Sequence, residues 1–326
     1  MTNRERLQRV LNFQIVDRLP TFEWATWWDK TVNRWHVEGV PEDAELFSYF
    51  GLDDIRQFWL PQFAPGCPDP KTYGGEILSS EEDYERLKGF LYNLDTVKNI
   101  SQTLRQIKPL HDRGDFPVWI TFEGFFWFPR TLFGIENHLY SFYDKPELYH
   151  RICRDLVNWQ LRMLDEFCEI LTPDFMTFAE DMSYNHGPML SKALFDEFIK
   201  PYYQMIVPEL KRRGIKVIVD SDGNVIDMVP WLREGGIEGI LPLERQAGTD
   251  IGAIRRQFPD FLMIGGFDKL VIKNGEAAVR AEFERILPVM KSGGYIPGVD
   301  HQTPPEVSVE NYKIYLKIFK KYCSMV

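Results

Sequence analysis

The sequence predicts one α/β domain spanning residues 1–326, a (β/α)8 TIM barrel with extra N-terminal helices and long loops. Three observations predict it. Eight short β-forming runs alternate with longer amphipathic helical patterns, which is how a parallel barrel is strung along a chain. Several runs are continuous in Val, Ile and Phe rather than alternating, as in strands buried on both faces. The 326 residues also suit a barrel, which usually takes about 250 or more. A doubly wound open sheet is the rival. It calls for a glycine-rich phosphate turn after an early strand, and none is present.

The opening MTNRERLQRVLNF is charged and amphipathic and predicts a helix, with no apolar signal-peptide core behind it. Strand candidates follow at Leu19–Glu23, weakly at Ile55–Leu60, and at Pro117–Phe122 and Asp174–Ala179. Ile215–Val219, Gly236–Leu243, Phe261–Gly265 and Tyr295–Val299 complete the eight. The first half holds only three of them, which leaves room there for extra helices. Ser191 is placed to cap a helix containing Leu194 and Phe198. Over Glu276–Met290, Val279, Phe283, Ile286 and Met290 recur at helical spacing. Ser308 caps the last helix, which sets Val309, Tyr312, Leu316 and Phe319 on one face.

Composition narrows the function. Asp and Glu outnumber Lys and Arg by 48 to 38, for a formal net charge of -10, and no basic tract is present. Nucleic-acid binding needs clustered cations, so it is not expected. No apolar run reaches the roughly 18 residues of a membrane span. Cys67, Cys153, Cys168 and Cys323 are scattered without a C-x-x-C pair, as expected of a reduced cytoplasmic protein. Aromatic residues are plentiful and cluster as Trp24, Trp27 and Trp28, as Phe122 with Phe125 to Phe128, and as Tyr202 with Tyr203. Such clusters serve as pocket walls, as core or as a surface for self-association, so a homo-oligomer stays open.

The functional signal lies in the residues that follow each strand, because barrel enzymes build their sites from the loops at the carboxyl ends. Seven of the eight candidates lead into acid. They deliver Glu23, Glu123, Glu180 with Asp181, Asp220 with Asp222, Glu244, Asp268 beside Lys269, and Asp300 beside His301. A single such Asp is more often a helix cap than a catalyst. So many like charges around one mouth, however, repel unless a cation or shared protons intervene. Asp220, Asp222 and His301 are the expected metal ligands, since carboxylate oxygen and imidazole nitrogen suit Zn²⁺ or a similar divalent ion. Glu180, Asp181, Glu244 and Asp222 are the expected acid–base residues. Substrate contacts are expected from Glu23, Trp24, Trp27, Glu123, Phe125, Trp127, His186, Arg245, Asp268 and Lys269.

Longer motifs carry a resemblance. RERLQRVLNFQIVDRLP, AEDMSYNHGPMLSKALFDEFIKPYY, VIVDSDGN and GGYIPGVDHQTPPEVSVENY resemble, in order, the signatures of the uroporphyrinogen decarboxylase superfamily. The resemblance spans nearly the whole chain and implies a (β/α)8 barrel. True uroporphyrinogen decarboxylases carry arginines after strand one to hold an octa-anionic porphyrinogen. EWATWWDK stands there instead, and its Glu23 and Asp29 would repel that substrate.

The resemblance therefore points to the branch of corrinoid-dependent methyltransferases, whose zinc is held by H-x-C after strand five and a late Cys. Asp220 and Asp222 fall at the first pair of positions and His301 at the last. Oxygen-rich ligation suits polarisation of an ether or carboxylate oxygen. The expected activity is transfer of a methyl group from a small methylated compound, methoxy-aromatic ones included, to a corrinoid protein. Two alternatives stand beside it. One is a metal-independent decarboxylase of a small organic acid, with Asp222 or Asp181 stabilising a cationic intermediate and Lys269 and Arg245 gripping a carboxylate. The other is a non-catalytic binding barrel, whose strand-end carboxylates would be spread apart.

Overall fold

The computed structural model describes all 326 residues. Its strands are β1 (Arg56–Trp59), β2 (Val118–Glu123), β3 (Phe175–Ala179), β4 (Ser183–Tyr184), β5 (Gly187–Pro188), β6 (Lys216–Asp220), β7 (Gly239–Leu241), β8 (Leu262–Phe267) and β9 (Tyr295–Val299). Seven of these form one parallel sheet in the order β1-β2-β3-β6-β7-β8-β9, while β4 and β5 make a small antiparallel hairpin. Helices connect the sheet strands, so every strand of the sheet carries its carboxyl end to the same edge.

Register partners in a parallel pair share a face. Gln57, Trp119, Thr121 and Thr177 therefore lie on one face, where Gln57 Nε2 donates to Thr121 Oγ1 (2.9 Å) and Trp119 Nε1 to Thr177 Oγ1 (2.8 Å). The opposite face meets the helices. Phe122 packs edge-on against Trp159 of helix Pro146–Cys168, and Phe178 packs against Tyr203 of helix Lys200–Arg212. Both faces are covered, which is why these strands read as unbroken apolar runs.

Below the sheet, Asp174 fastens the N-terminal helix Asn3–Leu11. Its buried carboxylate accepts from Arg4 Nε (2.8 Å), Gln8 Nε2 (2.7 Å) and the Val118 N–H (2.9 Å), and lies 2.9 Å from His111 Nε2. Helix ends follow the expected caps. Ser191 accepts from the Leu194 N–H, and Ser308 from the Asn311 N–H.

The first expected strand is corrected. Leu19–Glu23 makes no ladder, because its donors are engaged elsewhere. The Leu19 N–H goes to the Cys323 carbonyl (2.9 Å), Pro20 has no N–H, and the Thr21 N–H goes to Asp53 Oδ2 (2.8 Å). The segment runs as a strap between the sheet's two edges. The Asp53 N–H, just before β1, donates to the Thr21 carbonyl, while Trp24 Nε1 donates to the carbonyl of Val299 at the end of β9 (2.6 Å). What stands is a seven-stranded parallel sheet bridged by this strap. The expected Gly236–Leu243 strand also contracts to Gly239–Leu241, since Gly236 and Leu243 both adopt positive φ. No helix is long and apolar enough to cross a membrane.

Candidate active site at the carboxyl ends of the strands

The turn after β6 is the centre of the site. Asp220 ends the strand, and Ser221 to Asn224 fold back over the loop that follows β3. Ser221 Oγ accepts the Met182 N–H (3.0 Å), and the Asn224 N–H donates to the Tyr184 carbonyl (2.9 Å). Gly223 sits between them at φ +85°, where a Cβ would lie 2.6 Å from the Tyr184 backbone nitrogen. Only glycine fits there.

This close packing collects the acids. Asp181, itself in the left-handed region at φ 43°, accepts the Asp222 N–H (3.3 Å), and Glu244 accepts the Gly223 N–H (2.9 Å). His301 Nε2 lies 3.6 Å from Asp222 Oδ2, with Trp24 edge-on to its ring. Four acids and one imidazole from strands β3, β6, β7 and β9 are thus gathered around one turn. Their protons respond. Burial, then the charges of Asp181 and Glu244, raise Asp222 to about 7. Burial, then Asp181 and Asp222, raise Asp220 well above the usual carboxylate range. Burial also raises Asp181, against the Asp222 N–H and the charge of Arg130. Burial and the charge of Lys269 hold the His301 imidazole below its ordinary value. The cluster keeps protons at neutral pH that isolated carboxyls would release.

Several expected site residues are turned to other work. Glu180 is buried and accepts the N–H groups of Phe125 (2.9 Å), Phe126 (2.7 Å) and Trp127 (3.3 Å) together with the Tyr203 hydroxyl (2.5 Å). It anchors the start of helix Trp127–Phe133 and leaves no lone pair for the mouth, although burial raises it to about 7. Phe125 is fully buried among Phe178, Tyr202 and Tyr203. Trp27 packs on Trp35, Phe50 and Tyr312 and donates to the Tyr312 hydroxyl (2.9 Å).

Asp268 caps the short helix Lys269–Asn274 through the Leu270 N–H (2.9 Å). His186 stands on the exposed tip of the β4–β5 hairpin, edge-on to Tyr184. Glu23 and Glu123 are each raised by burial to about 7. Glu23 accepts from Tyr312 (3.3 Å) and Glu123 from Gln62 Nε2 (2.6 Å).

Asp300 was legible as a strand-end acid but its role was not. Completely buried, it accepts the N–H of Arg245 (2.9 Å) and the N–H and Nζ of Lys269 (3.1 and 3.3 Å). It thereby ties the loops after β7 and β8 to the end of β9. The Lys269 ammonium so held faces Asp222 and His301, whereas the Arg245 side chain is exposed.

In kind, the donors of Asp220, Asp222 and His301 suit a zinc-type ion. In place they do not converge. Asp222 and His301 approach each other, but no three His, Cys, Asp or Glu side chains surround a common point. Two cavities open elsewhere in the fold, neither of them lined by the cluster acids. One, of about 620 Å³, opens beside the strap and is lined by Glu23, Trp24, Trp27, Gln57 and Trp119. The other, of about 540 Å³, lies under the long loop after β1, against Trp127 and Arg130.

The model of the uroporphyrinogen decarboxylase (URO-D) family matches residues 73–322, most of the chain. The chain belongs to the URO-D family. No curated protein matches it by sequence. Among solved structures, a methyltransferase from Methanosarcina mazei is similar over 99% of both chains, with a TM-score of 0.67 at 17% identity. A B12-independent methionine synthase from Shewanella sp. W3-18-1 covers 68% of this chain and 65% of its own, with a TM-score of 0.37 at 9% identity. The first of these shows a shared fold. In the URO-D chain, the end of the strap is acidic and aromatic, as Glu23, Trp24 and Trp27 stand there.

Proposed function

We propose that this URO-D family chain is a methyltransferase that takes a methyl group from a small methoxylated aromatic compound and passes it to a corrinoid protein. The strap then serves as the eighth stave of a (β/α)8 barrel whose mouth is the site. The observation that carries the proposal is the proton-holding cluster of Asp181, Asp220 and Asp222 beside His301. Breaking a methyl ether leaves an oxygen with an extra electron pair, and that oxygen needs a proton. A carboxyl poised near 7 is matched to give it, an effect worth roughly 10² to 10⁴ in rate.

Asp222 is the proton donor in this scheme. It is the cluster acid raised to about 7, and His301 lies beside it to return the proton. The nucleophile that accepts the methyl group is supplied by the corrinoid of the partner protein. The methyl–oxygen bond breaks, the oxygen keeps the pair, and the Asp222 proton passes to it. Burial and the charges of Asp181 and Glu244 hold Asp222 protonated, while Lys269 limits that effect. No metal is given a step, since three ligands do not meet.

The test is methyl transfer from a panel of methoxybenzenes to cob(I)alamin. Activity should fall as pH rises through about 7, the acid limb of Asp222. Asp222→Asn should lower kcat by about 10² or more and remove that limb. A full panel with no transfer, to free cobalamin or to the corrinoid protein, would overturn the proposal.

Decarboxylation of a small acid is the second function, favoured by the decarboxylase that names the family. The same protonated cluster can deliver a proton to the carbon that loses carbon dioxide. Release of carbon dioxide without cobalamin would select it.

A further inference from the structure

We infer that the cavity under the loop after β1 binds a planar aryl monocarboxylate, its carboxylate on Arg130 and its ring against the apolar wall beside Trp127. This deepens the proposed methyl transfer, on which it rests only for the group transferred, and it names the substrate class as methoxylated aryl acids.

The cavity is a built feature of the fold. Its outer wall, Gly74–Leu78, is hydrogen-bonded to the helix that carries Arg130 and to the helix Ile135–Asp144 that follows it. The Ile77 N–H donates to the Leu132 carbonyl (2.9 Å), the Ile135 N–H to the Gly74 carbonyl (2.9 Å), and Asn137 Nδ2 to Glu76 (2.8 Å). At Gly134, φ +79°, a Cβ would lie 2.8 Å from the Gly75 and Glu76 backbone, so the wall can seat only against glycine. The space of about 540 Å³ falls within the range of small-molecule sites.

Its chemistry is one cation in an apolar setting. Phe63, Ile77, Trp127 and Ile135 line it, and Arg130 is its only basic residue. The Arg130 guanidinium sits 5.0 Å from the Trp127 ring centroid and has no carboxylate within ion-pair distance. Almost every other half-buried arginine here has an acidic or carbonyl partner. Arg4 is paired with Asp174, Arg18 with Asp53, and Arg285 with Glu282. A half-buried fork of five donors without an acceptor calls for a carboxylate. Asp69 at the rim adds a negative charge, so the single cation matches a monoanion and not a phosphate or a polyacid.

The cavity is also joined to the cluster. Glu180 anchors the Arg130 helix and precedes Asp181, and the Arg130 charge is felt at Asp181.

Calorimetric titration of the full chain with 4-methoxybenzoate, 4-methoxybenzamide and inorganic phosphate tests this. The acid should bind at least ten-fold more tightly than the amide or phosphate. Arg130→Gln should weaken the acid at least ten-fold and leave the amide within two-fold, with an unchanged melting temperature because no ion pair is lost. Trp127→Leu should weaken acid and amide together. Equal binding of acid and amide, or an unaltered acid affinity in R130Q, would overturn the assignment. If R130Q does not fold, the acid–amide comparison on the unmodified chain decides alone.

The two proposals fail separately. Benzoate binding without turnover refutes methyl transfer and leaves the cavity's assignment standing. Turnover of methoxylated donors with no preference for the acid refutes the cavity's assignment alone.

Discussion

Glu123 shows how a single carboxyl sets a pH response. It sits at the end of β2 with one hydrogen bond, from Gln62, and burial raises it to about 7. The folded chain therefore binds its proton more tightly than the unfolded chain does. Its contribution to stability is complete below the ordinary carboxylate range and is lost as pH rises through about 7. The linked change amounts to up to about 3 kcal/mol. His138 runs the other way, since burial presses its imidazole down to about 3 and stability is lost as pH falls below the ordinary imidazole range. The comparison of Glu123→Gln with the parent separates the two. Urea melts between pH 5.5 and 8.5 should show a shallower alkaline decline in E123Q, and parallel curves would contradict the burial argument.

At the scale of elements, the helix Trp127–Phe133 depends on a residue fifty positions away. Glu180 satisfies three N–H groups at its start and the Tyr203 hydroxyl. Glu180→Ala leaves four donors unpaired, three of them buried, and should cost about 3–5 kcal/mol, read as a lower urea midpoint. Because this helix carries Arg130, the same variant should also weaken binding of 4-methoxybenzoate, and a folded variant with full affinity would separate helix from cavity. The strap shows the reverse case. Its composition reads as a strand, but Pro20 and the engagement of Thr21 with Asp53 leave it no ladder donors where they are needed. Strand runs such as Pro117–Phe122 and Tyr295–Val299 were legible because burial on both faces writes an unbroken apolar run. The β4–β5 hairpin, two residues on each side, is too short to leave a period.

For the whole molecule, the sharpest consequence concerns metal. With Asp222 and His301 near each other and no third ligand at the same point, purified protein should retain well under one equivalent of zinc after dialysis. Elemental analysis checks this. A full equivalent that disappears in both Asp222→Ala and His301→Ala would restore a metal-centred mechanism. Most of the acid cluster was legible, since Asp181, Asp220, Asp222, Glu244 and His301 all follow strands whose ends share one edge. Arg130 was not, because a lone cation inside the aromatic run FFWFPR carries no pattern of its own. Only the position of acids elsewhere in the fold shows that it has no partner.

What the sequence determined by itself is the run of the seven sheet strands, the family, and the list of acids delivered to one rim. Periodicity and strand-end position are local properties, so they survive in one dimension. The tertiary structure decided which acids share protons and which are spent. Glu180 and Asp300 end strands just as Asp220 does, yet one anchors a helix and the other ties two loops. A carboxylate becomes a cap or a proton donor according to the N–H groups, charges and solvent around it, and those are brought together only by folding.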